Sequence, residues 1–183
     1  SSLLELQAKG VDDQATKDLI SEGKSRVRSM ALIHNQLYDN DSLTIHLAGY
    51  LQNLISEIQK SFEGQTSEVK MDVDPNFTLD IDNMVPLGLI ANELVTNAFK
   101  YATKNNNQLK LEVSLYENNG QSVFVFKDNG PGLPSSFDIK TTKSTGIWLI
   151  SRLALQLHGR YEYEYDNGAV FKIYFTQSEF VNA

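Results

Sequence analysis

Residues 86–101, PLGLIANELVTNAFKY, limit the fold more than any other stretch. Spaced at roughly 100° per residue, Leu87, Ile90, Ala91, Leu94, Ala98 and Tyr101 share one stripe of a helix that must lie against a core. Glu93, Asn97, Lys100 and Lys104 run beside that stripe, and Glu93 and Asn97, four residues apart, project in the same direction. A carboxylate, an amide and two ammonium groups in such a row can meet a metal ion and a phosphate chain together. The same row would also serve as the solvated flank of an ordinary amphipathic helix, so the neighbouring segments decide.

Those segments predict an α+β layer. Leu3, Leu4 and Leu6 read as the end of a helix that Gly10 stops, and Ile20, Val27, Met30, His34 and Leu37 predict a second helix to Asp39. A first arm of about nine residues cannot cover a second of about 26 at equal rise, so the apolar face over 27–37 is predicted to need an upstream helix or another subunit. A third helix carries Leu47, Leu51, Leu54, Ile55 and Ile58 and stops near Gly64, and short strands follow at 69–73 and 77–81. Pro86 suits the first turn of the central helix, where a missing donor does no harm. Hairpins at 109–127, through Asn119-Gly120, and at 161–175, through Asp166-Asn167-Gly168, flank a helix opened by Ser144-Thr145 and ended by Gly159. This order implies a mixed, largely antiparallel sheet with helices on one face.

Composition narrows the function. A formal charge of −7 argues against nucleic acid or an anionic membrane as the main partner. The absence of cysteine excludes disulfides, zinc ribbons and thiol nucleophiles, and fits a cytoplasmic protein. No run approaches the roughly 18 apolar residues of a membrane span. The opening SSLLELQ, without an initiator Met and inside a helical pattern, is expected to be the cut end of a longer protein whose sensory or membrane part lies elsewhere.

Two further stretches carry chemistry. Asp128 ends a strand and runs into Asn129-Gly130-Pro131-Gly132; a carboxylate there can accept a hydrogen bond from an exocyclic amine, and the glycines let a flat ring approach. The same five residues are also ordinary turn chemistry. Ser144-Thr145-Gly146 opens a helix whose free amides favour a phosphate. Gly23-Lys24-Ser25 imitates the tail of a P-loop, but Asp18 stands where that motif needs glycine and no strand precedes it.

Taken together, NELVTNAFKYA, DNGPGLP, STGIWLI and GAVF, in this order, closely resemble the boxes of the GHKL ATPase superfamily. With RVRSMALIHNQLY at 26–38, the chain resembles a sensor histidine kinase of the HWE and related second-type group. That resemblance implies ATP and Mg²⁺ as cofactors, with Asn97 as the Mg²⁺ ligand and Glu93 as a base assisting the attacking group. It places Lys100 near the phosphates and Tyr101 beside the nucleotide, gives Asp128 the adenine with Gly130 and Gly132 lining its pocket, and makes Gly146 the second glycine of the later box, next to Thr145. Ser144 departs from the first glycine of that box, Ala169 from a threonine near adenine, and 134–143 is short for a nucleotide lid.

The resemblance further implies residues 1–39 as the remnant of a dimerisation and phosphotransfer hairpin and 40–183 as the ATP-binding domain. The phosphate-accepting histidine of this group falls upstream of Ser1. His34, on the apolar stripe without acceptor-motif neighbours, reads as a packed hairpin residue, and His46 and His158 as a helix start and a helix end. The chain should then bind nucleotide without phosphorylating itself. Its partners would be a response regulator and, through the complete hairpin, a second copy. An ATP-hydrolysing machine of the gyrase, mismatch-repair or heat-shock type, an anti-sigma-type serine kinase, and a non-catalytic nucleotide-binding module are the alternatives.

Overall fold

A computed structural model describes residues 13–39, 44–62, 64–102, 108–134 and 145–176. Helix α1 (Gln14–Asp39) leads to strand β1 (Thr44–His46), helix α2 (Leu47–Gln59), strands β2 (Thr66–Asp72) and β3 (Thr78–Asp80), and helix α3 (Ile81–Asn97). A π-helical turn over Ala98–Ala102 extends α3. Strands β4 (Gln108–Asn118) and β5 (Gln121–Asp128), helix α4 (Thr145–Gln156), and strands β6 (Arg160–Tyr165) and β7 (Ala169–Phe175) complete the described fold.

Five strands form one sheet in the order β2-β4-β5-β7-β6; β2 and β4 are parallel and the other pairs antiparallel. Alternation decides its faces. Leu109, Leu111 and Val113 of β4 are buried between exposed Gln108, Lys110 and Glu112, and Phe124, Phe126, Phe171, Ile173 and Phe175 continue the buried face. Helices α2, α3 and α4 cover that face, with Ile147, Ile150 and Leu157 of the last in the same core. The predicted layer architecture is therefore the observed one. A second, two-stranded sheet of β1 and β3 lies apart from the first.

Helix α3 is central because it is buried almost all round, Asn92, Glu93 and Thr96 included. It starts earlier than the sequence predicts. Asp80 caps it, its Oδ1 accepting from the Asn83 amide at 2.8 Å, so residue 81 belongs to the helix and Pro86 lies inside it, beyond the first turn. Tyr101, expected on the core stripe, is 51% exposed, since the widened π turn carries it to the surface.

Helix α1 packs through a polar face. Ser29 is fully buried, its Oγ 2.5 Å from the Tyr50 hydroxyl and donating to the Gly88 carbonyl at 3.4 Å, and Ile33 is buried beside them. Three positions of the predicted apolar stripe face outward instead: Val27 and Met30 are 58% and 47% exposed, and His34 is exposed too. The uncovered face is thus present at those positions. Residues 1–12, on which the first arm was expected, lie outside the described residues, as do Lys104, the Asn105 to Asn107 helix end, Ser144 and nearly all of the expected lid.

At the end of α4 the residue in the left-handed conformation is His158 (φ 53°), and Gly159 donates back to the Ala154 carbonyl at 3.0 Å. Gly159 serves packing, because a Cβ there would stand 1.7 Å from the Tyr174 carbonyl oxygen.

Candidate nucleotide-binding cleft

Between the C-terminal end of α3, the β5 end and the start of α4 lies a cleft of about 670 Å³. Glu93, Asn97, Tyr101, Asp128, Gly130, Gly132, Thr145 and Gly146 all line it. Lys100 does not: its ammonium donates to Glu22 Oε1 at 2.8 Å and it lines a separate cavity between α1 and α2.

Strand β5 delivers Asp128 to the floor. Its Oδ1 accepts from the Gly130 amide at 2.7 Å and the Ala169 amide at 3.3 Å. Burial pushes the Asp128 carboxyl above its ordinary pKa, and those two backbone amides partly oppose the shift. The loop after it is pinned at three points. Asn129 Oδ1 accepts from the Lys110 amide at 2.9 Å, Gly130 approaches Ala102 so closely that a Cβ would lie 2.7 Å from Ala102 Cβ, and the Leu133 amide donates to the Tyr163 hydroxyl at 2.8 Å. Gly132 adopts φ +70°, where a Cβ would also meet the Tyr165 ring at 2.6 Å. Residues 129–134 are therefore a preset wall, open above Asp128 where a flat ring could enter.

At the other end, the first turn of α4 meets α3. A Cβ on Gly146 would stand 3.1 Å from Glu93 Oε2 and 3.6 Å from Asn97 Nδ2, so the bare backbone is what lets the free amides of α4 approach those groups. Glu93, 5% exposed, is gripped by Arg26: Nε donates to Oε1 at 2.8 Å and Nη2 to Oε2 at 3.2 Å. That bond, with the charges of Glu93 and Glu22, holds the guanidinium above even its usual range against the opposing effect of burial.

Several lining residues were not singled out for the site from sequence. Phe126 and Phe171 form part of the apolar floor, and Phe126, two residues before Asp128, was recoverable from the strand period. Leu19 and Glu22 enter from α1, and Arg26 reaches Glu93 from the same helix; nothing local to those residues points there. No group of three or more His, Asp or Glu side chains suited to a metal occurs among the described residues. A hard cation here would depend on the Asn97 amide oxygen plus ligands brought by a phosphate chain and water, the manner of magnesium. No helix among the described residues is long and apolar enough to cross a membrane.

A family described as histidine kinase matches residues 1–62, and one described as histidine kinase-, DNA gyrase B-, and HSP90-like ATPase matches residues 82–179. The chain is 23% identical over 155 residues to the sensor histidine kinase PdtaS of Mycolicibacterium smegmatis, covering 84% of this chain and 31% of that protein. It is 24% identical to blue-light-activated histidine kinase 1 of Erythrobacter litoralis, over 63% of this chain and 32% of the relative. It thus spans about a third of the length of these two relatives. The histidine kinase domain of a blue-light-activated histidine kinase from Erythrobacter litoralis has the same fold, with a TM-score of 0.76 at 21% identity over 97% of this chain and 84% of that one. With more than half of its residues matched across the cleft, the chain belongs to the histidine kinase-, DNA gyrase B- and HSP90-like ATPase family.

Proposed function

We propose that the cleft binds Mg²⁺-ATP and that the chain is the catalytic part of a sensor histidine kinase of a two-component system. The observation that carries this reading is the convergence of Asn97, Asp128 and Thr145-Gly146, remote in sequence, on one cleft. Asp128 would accept a hydrogen bond from the adenine amine, with Gly130 and Gly132 bordering the ring. Asn97 would hold Mg²⁺ and the α4 amides the phosphates. The ion would neutralise charge on the transferring group. Breaking the γ-phosphorus–oxygen bond would release ADP while a phosphorus–nitrogen bond forms to a protein histidine, whose proton Glu93 would take. A response-regulator aspartate would receive the phosphoryl group next.

The match of residues 1–62 to a histidine kinase family and the helix α1 in front of the cleft favour this over the gyrase or heat-shock type of ATPase. Residues 1–39 then belong to a dimerisation hairpin and 40–183 to the ATP-binding domain, acting in the cytoplasm. Calorimetry with a non-hydrolysable ATP analogue tests the reading. One nucleotide per chain is expected, with a GTP analogue bound more weakly; no binding would overturn it.

A further inference from the structure

Between helices α1, α2 and α3 lies a second cavity, of about 420 Å³, that the nucleotide reading leaves unused. Glu22 is the one described residue that lines both spaces. Helix α2 gives the cavity an apolar wall of Leu54 and Ile58, four residues apart, and Phe62 continues it.

Two polar groups in the lining have no bond within the protein. Thr96 of α3 is only 9% exposed, and its Oγ1 is buried with no hydrogen-bond partner among the described residues. A buried hydroxyl that lines a cavity unbonded calls for a partner from outside the chain. Exposed Arg28 of α1 forms no hydrogen bond or ion pair among the described residues, and Glu57 acts on it only through space. Both carboxylates of the lining are already committed: Glu22 accepts from Lys100 at 2.8 Å, and Glu57 pairs with Lys60 from outside the cavity. Lys24, Arg28 and Lys100 against Glu22 and Glu57 leave the lining one positive charge in surplus, in a chain whose formal charge is −7.

We infer that this cavity is a binding site for a small monocarboxylate with an apolar body and a second polar group. The planar Arg28 guanidinium takes the carboxylate, the body lies on Leu54, Ile58 and Phe62, and the polar group bonds Thr96 Oγ1. A single surplus charge beside an apolar wall selects a monoanion over a polyphosphate, so the site stands independently of the nucleotide reading.

Titration of the whole chain with para-hydroxyphenylacetate, followed by chemical-shift mapping, tests the site. One probe per chain is expected, with the shifts centred on Leu54, Ile58 and Thr96. The uncharged para-hydroxyphenylacetamide, and the Arg28→Gln variant with the acid, should each bind about 10-fold more weakly. Phenylacetate, which lacks the hydroxyl, should bind the wild-type chain about 3-fold more weakly than the probe, whereas Thr96→Val should bind the two acids alike. No saturable binding to the wild-type chain, or shifts centred on Asp128 and Gly130, would overturn the site. So would an affinity unmoved by loss of the probe's charge or by Arg28→Gln, or phenylacetate binding the wild-type chain as tightly as the probe. The comparison of the three compounds on the wild-type chain decides even if a variant misfolds. None of these outcomes touches the titration with an ATP analogue, so failure here leaves the nucleotide reading standing.

Discussion

Gly168 runs so close to Asp128 that a Cβ on it would lie 1.7 Å from the Asp128 carbonyl oxygen and 2.8 Å from its carbonyl carbon. The turn into β7 is therefore pressed against the backbone that carries the floor of the cleft, next to the Ala169 amide that bonds the carboxylate. Since the obstacle is backbone, no side chain can swing aside. Gly168→Ala should lower stability by about 3 kcal/mol and weaken nucleotide binding together, measurable by denaturant melts and calorimetry. A variant with unchanged stability would contradict this packing.

The Asp128 carboxyl is raised by burial, so its ionised form opposes folding. For such a group the native state binds the extra proton between the unfolded and folded pKa values, so its contribution is full below the unfolded value and is lost as pH rises through the folded one. Asp128→Asn keeps an acceptor for the Gly130 and Ala169 amides. It should melt at or above the wild-type temperature at pH 7, with the gap closing in acid, while adenine nucleotides bind about ten-fold more weakly or worse. A lower melting temperature at pH 7, or unchanged affinity, would count against the assignment.

Tyr50, buried and bonded to Ser29, has its phenol pushed up to about 12 by burial, with the Ser29 bond opposing. The raised value means that stability from the neutral phenol is fully present below about 10, the unfolded value, and is lost as pH rises through the folded one. Ultraviolet titration should show a phenol ionising near 12 that Tyr50→Phe removes. The same variant should cost about 1 kcal/mol, because Ser29 keeps only its long bond to Gly88.

Much of the architecture could be read from the chain because it rests on local periodicity. The alternation in β4, the Asn119-Gly120 turn with both residues at positive φ, and the run of β5 into Asp128 are all short-range features. They brought six of the eight cleft-lining candidates to one place by way of the sheet register and the α3 segment, and Thr145 and Gly146 by way of α4. What escaped depends on contacts between distant segments. The three-residue strand β1 is too short for a period, and the parallel pairing of β2 with β4 leaves no mark on either strand. Helix α1 was read by its apolar stripe, yet Ser25, Arg26 and Ser29 face the domain, because α3 offers them Asn92, Glu93 and the Gly88 carbonyl. Lys100 was read as a phosphate contact from its place in a motif, and its tie to Glu22 spans a gap that no local pattern encodes.

Calorimetric titration of the wild-type chain and Asn97→Ala with a non-hydrolysable ATP analogue, each with Mg²⁺ and with chelator, tests the central claim most directly. The account predicts that Mg²⁺ strengthens wild-type binding by about ten-fold or more and that Asn97→Ala loses this gain while keeping adenosine affinity. Wild-type binding indifferent to Mg²⁺, or an Asn97→Ala variant with the gain intact, would contradict it.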